Sequence, residues 1–237
     1  MNRLAMMVIK NIFRIPSLYS KLCKHAKNPE NFTEEEKFGH VQKIMQYAVK
    51  AGNVTVEVHG RENVPTEGGF VIYSNHQGMF DVVCTVADMP VPMSAVFKQE
   101  LKDLPLIREI AACLKGLPMD RDDVRQSLEV IRTVTKEVQA GRNYLIYPEG
   151  TRSKNGNVMG EFHHGSFRCA ITAKCPVLPV CVIDTYKVLD QKGSKPLTAQ
   201  LHYLKPIMPE EYAGMKTNQL AELVQSRIQA CLDEYAK

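Results

Sequence analysis

A chain of 237 residues, 44% of them apolar, is long enough for one large α/β domain with a small appendage, and no part of it is low-complexity. Its formal net charge of +4 leaves no electrostatic footprint for nucleic acid. The seven cysteines, at positions 23, 84, 113, 169, 175, 181 and 231, are odd in number, scattered and never spaced Cys-x-x-Cys. That argues against a disulfide framework or a zinc site and fits reduced thiols in a cytosolic setting.

The N-terminus holds the charge asymmetry: Arg3, Lys10, Arg14, Lys21, Lys24 and Lys27 come before any acid, the first being Glu30. On one helix Arg3, Lys10, Arg14 and Lys21 fall within about 40° of one another. Leu4, Met6, Met7, Val8, Ile9, Ile12, Phe13 and Leu22 form the opposing apolar face. The longest apolar run, residues 4–9, is far short of the ~20 a membrane span needs, and no signal-peptide core or cleavage site follows. A basic amphipathic helix bent at Pro16 is therefore expected to lie in a membrane interface, peripheral on the cytoplasmic face. Docking of the same helix on the domain is the alternative.

Thr33-Glu34-Glu35-Glu36 has the form of a capping box opening a second helix, with Phe38, Val41, Ile44, Met45 and Ala48 on one face. The sequence thus divides into a two-helix element over residues 1–52 and an α/β domain over 53–237. Residues 54–58 read as a strand, 71–73 as a buried strand, and 80–89 as a helix. Residues 94–97 form a strand, 101–114 a helix broken by Pro105, and 117–120 a short strand or turn. From Asp122 a helix is expected with Val124, Leu128, Ile131, Val134 and Val138 buried and Gly141 as its stop. Strands follow at 143–147, 177–183 and 198–204, with a helical segment at 165–173. Thr217 or Asn218 caps a last helix that buries Leu220, Val224, Ile228, Cys231 and Tyr235. Such repeated βα units imply a mainly parallel or mixed central sheet covered by helices on both faces.

Chemistry concentrates where the strand at 71–73 ends. His76 falls in the loop after Ser74-Asn75, Gly78 permits a tight turn, and Asp81 lies in the first turn of the next helix. On one regular helix His76 and Asp81 would point about 140° apart. With one in the loop and the other in the helix they can meet. A carboxylate near a helix N-terminus is held as the anion and can orient an imidazole through Nδ1–H, leaving Nε2 as a base. No Gly-x-Ser-x-Gly turn supplies a protein nucleophile, so the hydroxyl to be deprotonated belongs to a substrate. A loop-capping His and a helix-start Asp without catalysis would use the same residues.

Two further polar clusters also follow strands. Arg121 stands in Pro118-Met119-Asp120-Arg121-Asp122, and Arg152 in Tyr147-Pro148-Glu149-Gly150-Thr151-Arg152-Ser153. Guanidinium binds phosphate oxygens bidentately, so two arginines with a Gly-Thr turn suit a phosphate at the carboxyl ends of strands. For Arg121, a surface ion pair with Asp120, Asp122 or Asp123 is the plainer reading.

Taken in order, Asn75-His76-Gln77 with Asp81, Gly116 through Asp120-Arg121, Tyr147 through Arg152, and Val177-Leu178-Pro179-Val180 resemble the four motifs of the glycerolipid acyltransferase family. Lys98-Gln99-Glu100-Leu101 resembles the family's segment between the first two. The likeness covers residues 55–205 and is nearest to the bacterial PlsC-type 1-acylglycerol-3-phosphate acyltransferases. It implies His76 as base, Asp81 as its partner, and Lys98, Arg121, Glu149, Gly150, Thr151 and Arg152 as binding residues for a phosphorylated acceptor. It also implies acyl-CoA or acyl-carrier protein as co-substrate, no further cofactor, no metal, and lysophosphatidate and a phospholipid surface as partners. Gly78 stands where Ser or Arg is frequent, and Tyr147 where Phe is usual. Backbone N–H groups near the helix start after Gly78 are the expected oxyanion donors. The rivals are glycerol-3-phosphate or another lysophospholipid as acceptor, a non-catalytic membrane-binding module, and a metal-dependent hydrolase using His76, Asp81 and His163-His164.

Overall fold

The computed structural model describes residues 2–236. Three α-helices precede the first strand: α1 (Arg3–Asn11), α2 (Ile15–Lys27) and α3 (Glu34–Ala51). The expected single bent helix is therefore two. Pro16 has no N–H to give the carbonyl of Ile12, so residues 12–14 turn, and Pro16 sits in the first turn of α2, where a missing donor leaves no bond unmade. Thr33 and Glu36 form the reciprocal capping box expected at the start of α3.

Arg3 is not part of an exposed stripe. It is 5% exposed, and its guanidinium donates to the carbonyls of Lys187 and Val188 and, at 2.8 Å, of Lys195. Carbonyls at this corner offer a cation several acceptors at once, which draws it inward. Met6 and Met7 are buried beneath α1, whereas Leu4, Val8, Ile9, Ile12 and Phe13 face outward, Phe13 almost completely.

The chain continues as β1 (Val54–His59), β2 (Val71–Ser74), α4 (Phe80–Asp88), β3 (Ser94–Lys98), α5 (Ile107–Leu114), β4 (Leu117–Met119) and α6 (Val124–Gln139). There follow β5 (Tyr144–Ile146), α7 (Arg168–Ala173), β6 (Val177–Ile183), α8 (Lys187–Asp190), β7 (Leu197–Tyr203) and α9 (Thr217–Tyr235). The described strands form one mixed sheet in the order β1-β7-β6-β2-β5-β3-β4. Strands β6, β2, β5, β3 and β4 are mutually parallel, while β7 runs antiparallel to β6 and carries β1 parallel to itself.

Alternation along the central strands feeds two apolar layers. Val71 and Tyr73 of β2 pack with Tyr144, Ile146, Cys181 and Ile183 under α6, α7 and α9. Ile72, Leu145, Leu178 and Val180 pack on the other face against Leu22, Phe38, Val41, Met45, Val86 and Leu114. Residues before position 53 thus close one face of the sheet and share its core. Each fully buried Ile, Leu or Phe contributes roughly 1.5–3 kcal/mol.

Helix α6 departs from expectation at its start. Val124 is 72% exposed and Leu128 also faces out, with burial beginning at Val130. The cause is position: α6 begins beside β4, a half-exposed edge strand, and reaches the central strands only in its second half. Likewise Lys216, not Thr217 or Asn218, occupies the cap position of α9, where its N–H donates to Gln219, and Tyr235 is exposed. The five parallel strands end on one side, so the segments after β6, β2, β5, β3 and β4 meet there in that spatial order.

Candidate active site at the carboxyl ends of the parallel strands

After Ser74 the side chain of Asn75 extends the ladder between β2 and β6. Its Nδ2 donates to the Val182 carbonyl at 2.9 Å, and its Oδ1 accepts the Val182 N–H at 2.8 Å. This fixes the backbone that delivers His76. The N–H of His76 donates to Glu149 Oε1 at 2.6 Å, and its carbonyl accepts the Ser153 N–H at 2.7 Å. Its ring stacks on Tyr147 with centroids 4.1 Å apart. Nδ1 lies 2.7 Å from Oδ2 of Asp81.

Asp81 is wholly buried in the first turn of α4. Its Oδ2 also accepts the N–H groups of Gln77 at 2.6 Å and Gly78 at 2.9 Å, and its Oδ1 accepts the Thr185 hydroxyl at 2.6 Å. These donors, beside the N-terminus of α4, fix the orientation of the carboxylate. Only the Nδ1–H tautomer of a neutral His76 satisfies that contact, so Nε2 carries the free lone pair. The side chain of His76 is 18% exposed, enough for a substrate to reach it.

The Gln77 and Gly78 amides are therefore taken by Asp81. Beyond them, the N–H groups of Met79 and Phe80 find no acceptor among the described residues. Gly78 is fixed by space, since a Cβ there would come within 3.1 Å of Tyr186 Cα. That accounts for a residue smaller than the Ser or Arg frequent in the family.

The remaining expected residues separate into two groups. Gly150, Thr151, Arg152, Lys98 and Arg121 reach the same edge from the ends of β5, β3 and β4. Gly150 has φ +74, and a Cβ on it would lie 3.0 Å from the His163 ring and 3.4 Å from Arg121 Nη1, so Arg121 closes directly onto this loop. Thr151, Arg121 and Arg152 are exposed, and neither arginine has a carboxylate partner among the described residues. Arg121 thus lacks the ion pair with Asp120, Asp122 or Asp123. Neighbouring groups that displace some water pull its pKa down while Glu100 opposes, yet the side chain is open to solvent and stays charged. Lys98 pairs with Glu100 at 2.6 Å.

Glu149 is different. It is 4% exposed, with Oε1 accepting the His76 N–H and Oε2 the Gly160 N–H at 2.8 Å. Both oxygens are bonded to the protein's own backbone, so the structure makes it a clamp between loops rather than a contact for a phosphate. Thr185, Asn157 and Tyr186 were not singled out from the sequence. Asp184-Thr185 does follow a buried strand at its carboxyl end, the same signal that marked His76, Arg121 and Arg152. Among the described residues no group of three or more His, Cys, Asp or Glu gathers as metal ligands, and His164 faces Thr217 instead.

Residues 55–183 match the sequence model of the Acyltransferase family. The chain belongs to that family. A 1-acyl-sn-glycerol-3-phosphate acyltransferase of Brassica napus chloroplasts is 28% identical over 134 residues, which cover 56% of this chain and 38% of that protein. The match thus spans about two fifths of that plant relative's length. A 1-acyl-sn-glycerol-3-phosphate acyltransferase of Salmonella typhimurium is 26% identical over 195 residues, 82% of this chain and 78% of its own. The crystal structure of the 1-acyl-sn-glycerophosphate (LPA) acyltransferase PlsC from Thermotoga maritima superposes with a TM-score of 0.77. That match covers 98% of this chain and 97% of that one at 20% identity, and it is a likeness of fold. His76, Asp81, Lys98, Arg121 and the loop 149–152 all lie inside the family match, and Thr185 lies just outside it.

Proposed function

We propose that this chain transfers a fatty acyl group from acyl-CoA or acyl-carrier protein to the free hydroxyl of lysophosphatidate, giving phosphatidate. The observation that carries the reading is the 2.7 Å bond from His76 Nδ1 to a wholly buried Asp81, at a strand-end edge that also presents two exposed arginines. His76 Nε2 takes the proton of the acceptor hydroxyl as its oxygen attacks the thioester carbonyl. The new ester bond forms, the C–S bond breaks, and the thiol leaves with a proton returned by the imidazolium. A thiol with an ordinary pKa near ~8.5 leaves readily, so no strong general acid is required. The amides of Met79 and Phe80 are the donors for the tetrahedral oxyanion. Arg121, Arg152 and the Gly150-Thr151 turn hold the acceptor phosphate, and Lys98 joins them by exchanging Glu100 for it. The names of the relatives support this acceptor.

The outward Leu4, Val8, Ile9, Ile12 and Phe13 of the N-terminal helices, with Lys10, Arg14 and Lys21 exposed nearby in sequence, support docking on an anionic lipid surface from which the acceptor is drawn. Among the described residues no helix is long and apolar enough to cross a membrane. The direct test is thiol release from an acyl thioester by purified protein offered lysophosphatidate, glycerol-3-phosphate or monoacylglycerol. Lysophosphatidate should give phosphatidate and thiol in equal amounts. Arg121→Ala and Arg152→Ala should each lose about 2–4 kcal/mol of kcat/KM on lysophosphatidate and little on monoacylglycerol. Equal use of the phosphate-free acceptor by wild type would remove the phosphate site.

A further inference from the structure

The four donors around the Asp81 carboxylate are shared unequally. Oδ2 receives the N–H groups of Gln77 and Gly78 and the Nδ1–H of His76, all within 2.9 Å. Among the described residues Oδ1 receives one side-chain donor, the hydroxyl of Thr185 at 2.6 Å. Both Asp81 and Thr185 are fully buried. Building on His76 as the base, we propose that Thr185 is a positioning residue for the acyl transfer, holding the plane of the Asp81 carboxylate and, through it, the orientation of the His76 ring.

The hydroxyl proton has two oxygens before it, Asp81 Oδ1 at 2.6 Å and Gln77 Oε1 at 3.0 Å. The nearer and charged acceptor takes it. The amide of Gln77 cannot turn to compete, because its Nε2 donates to Asn157 Oδ1 at 2.7 Å. Asn157 is fixed in turn by Asp184, whose N–H donates to Oδ1 and whose carboxylate accepts from Nδ2 at 2.9 Å. Hydrogen bonds therefore run from Asp184 through Asn157 to the Gln77 side chain, which leaves the single Thr185 proton to Asp81 and so to the carboxylate that orients His76.

The backbone around Thr185 is equally constrained. Asp184 adopts φ +63, a left-handed conformation unusual outside glycine, and pairs with Lys187 at 2.7 Å. Tyr186 presses its Cα against Gly78. Removing the hydroxyl leaves Oδ1 as a bare anionic oxygen in a buried site. The carboxylate then turns to share the Oδ2 donors, and the Nδ1–H of His76 loses its fixed acceptor. The imidazole is then free to swing, and Nε2 is no longer held toward the acceptor hydroxyl.

The test is steady-state acyl transfer by full-length Thr185→Val, with Thr185→Ser, His76→Ala and wild type beside it. Outer-shell partners of reactive groups typically matter by 10- to 100-fold, and kcat should fall on the order of that amount while KM for the acceptor stays within about twofold. Thr185→Ser, which keeps the hydroxyl, should restore kcat. Wild-type turnover by a folded Thr185→Val protein, a loss carried by KM rather than kcat, or failure of Ser to rescue would each overturn the inference. If Thr185→Val does not fold, Thr185→Ala removes the hydroxyl without added bulk and is read by the same criteria. An active His76→Ala protein would instead overturn His76 as the base, and a wild type without acyl transfer would overturn the function, so the failures are distinguishable.

Discussion

Glu149 shows how a residue with a binding role implied by resemblance becomes a clamp in the fold. Its two oxygens join the loop after β2 to the segment at Gly160. Replacing it with Gln sets an NH2 against one of two N–H donors, and a buried donor left unpaired costs about 1–3 kcal/mol. Glu149→Gln should therefore lower the melting temperature and kcat together, measured by thermal unfolding and acyl transfer. Burial pushes the Glu149 carboxyl above its ordinary value of 4.5, although the amides of His76 and Gly160 pull it down. The folded chain then binds this proton more tightly than the unfolded chain. Its contribution to stability is largest below pH 4.5 and falls as pH rises through the folded value, a slope that Glu149→Gln should lack. Tyr147 is the converse case. Its ring supports His76, but its hydroxyl is buried without a partner among the described residues. Tyr147→Phe should keep kcat within about twofold and leave stability unchanged or slightly higher. Sequence spacing made His76 and Asp81 visible because a loop and a helix start must bring them together. Thr185 was not visible, because its partner lies 104 positions away and only strand order brings them into contact.

At the scale of elements, the sequence pattern revealed periodicity well and surroundings poorly. Of the stripe expected to be buried along α6, Ile131, Val134 and Val138 are buried, while Val124 and Leu128 are exposed because β4 is a short edge strand. Pro16 was legible as a bend, whereas the true break came earlier, at the residue whose carbonyl it cannot satisfy. The basic stripe dissolved with that break, and Arg3 became an internal tie to the carbonyls around α8. Two consequences can be measured. Ile12→Asp with Phe13→Asp should release the protein from anionic vesicles with little change in melting temperature, because both side chains already face out. Turnover of a short-chain, soluble acceptor should persist, while equal losses on both acceptors would return these helices to a purely structural role. Separately, His25 and His40 lie edge to face between α2 and α3, with ring centroids 5.2 Å apart. Burial lowers both pKa values below 6.5, helped at His25 by His40 and Lys21 and at His40 by Lys21 and Lys43. Glu36 opposes at His25, and the bond to Leu18 opposes at His40. The unfolded chain takes up these protons first, so stability should fall as pH drops from 6.5 toward the folded values. His25→Leu should flatten that slope in a series of melting curves.

For the whole molecule, the order β6-β2-β5-β3-β4 does the assembling. Five parallel strands end side by side, so segments far apart in the chain deliver His76, Asp81, Thr185, Arg121 and Arg152 to one edge. An α/β fold with a mixed sheet was legible from the succession of strand and helix signals. The reversal at β7 was not, since the local pattern of a half-buried strand is the same in either direction. The N-terminal helices lie over one face of this sheet and reach the strand-end side through Arg3, which places the outward apolar residues on the same body as the site. The measurement that bears most directly on the account is acyl transfer by His76→Ala, with its fold checked by circular dichroism and its vesicle binding by sedimentation. A base of this kind contributes about 10²–10⁴-fold. The account predicts a loss of that size with fold and vesicle binding intact, and near-normal turnover by the folded variant would contradict it.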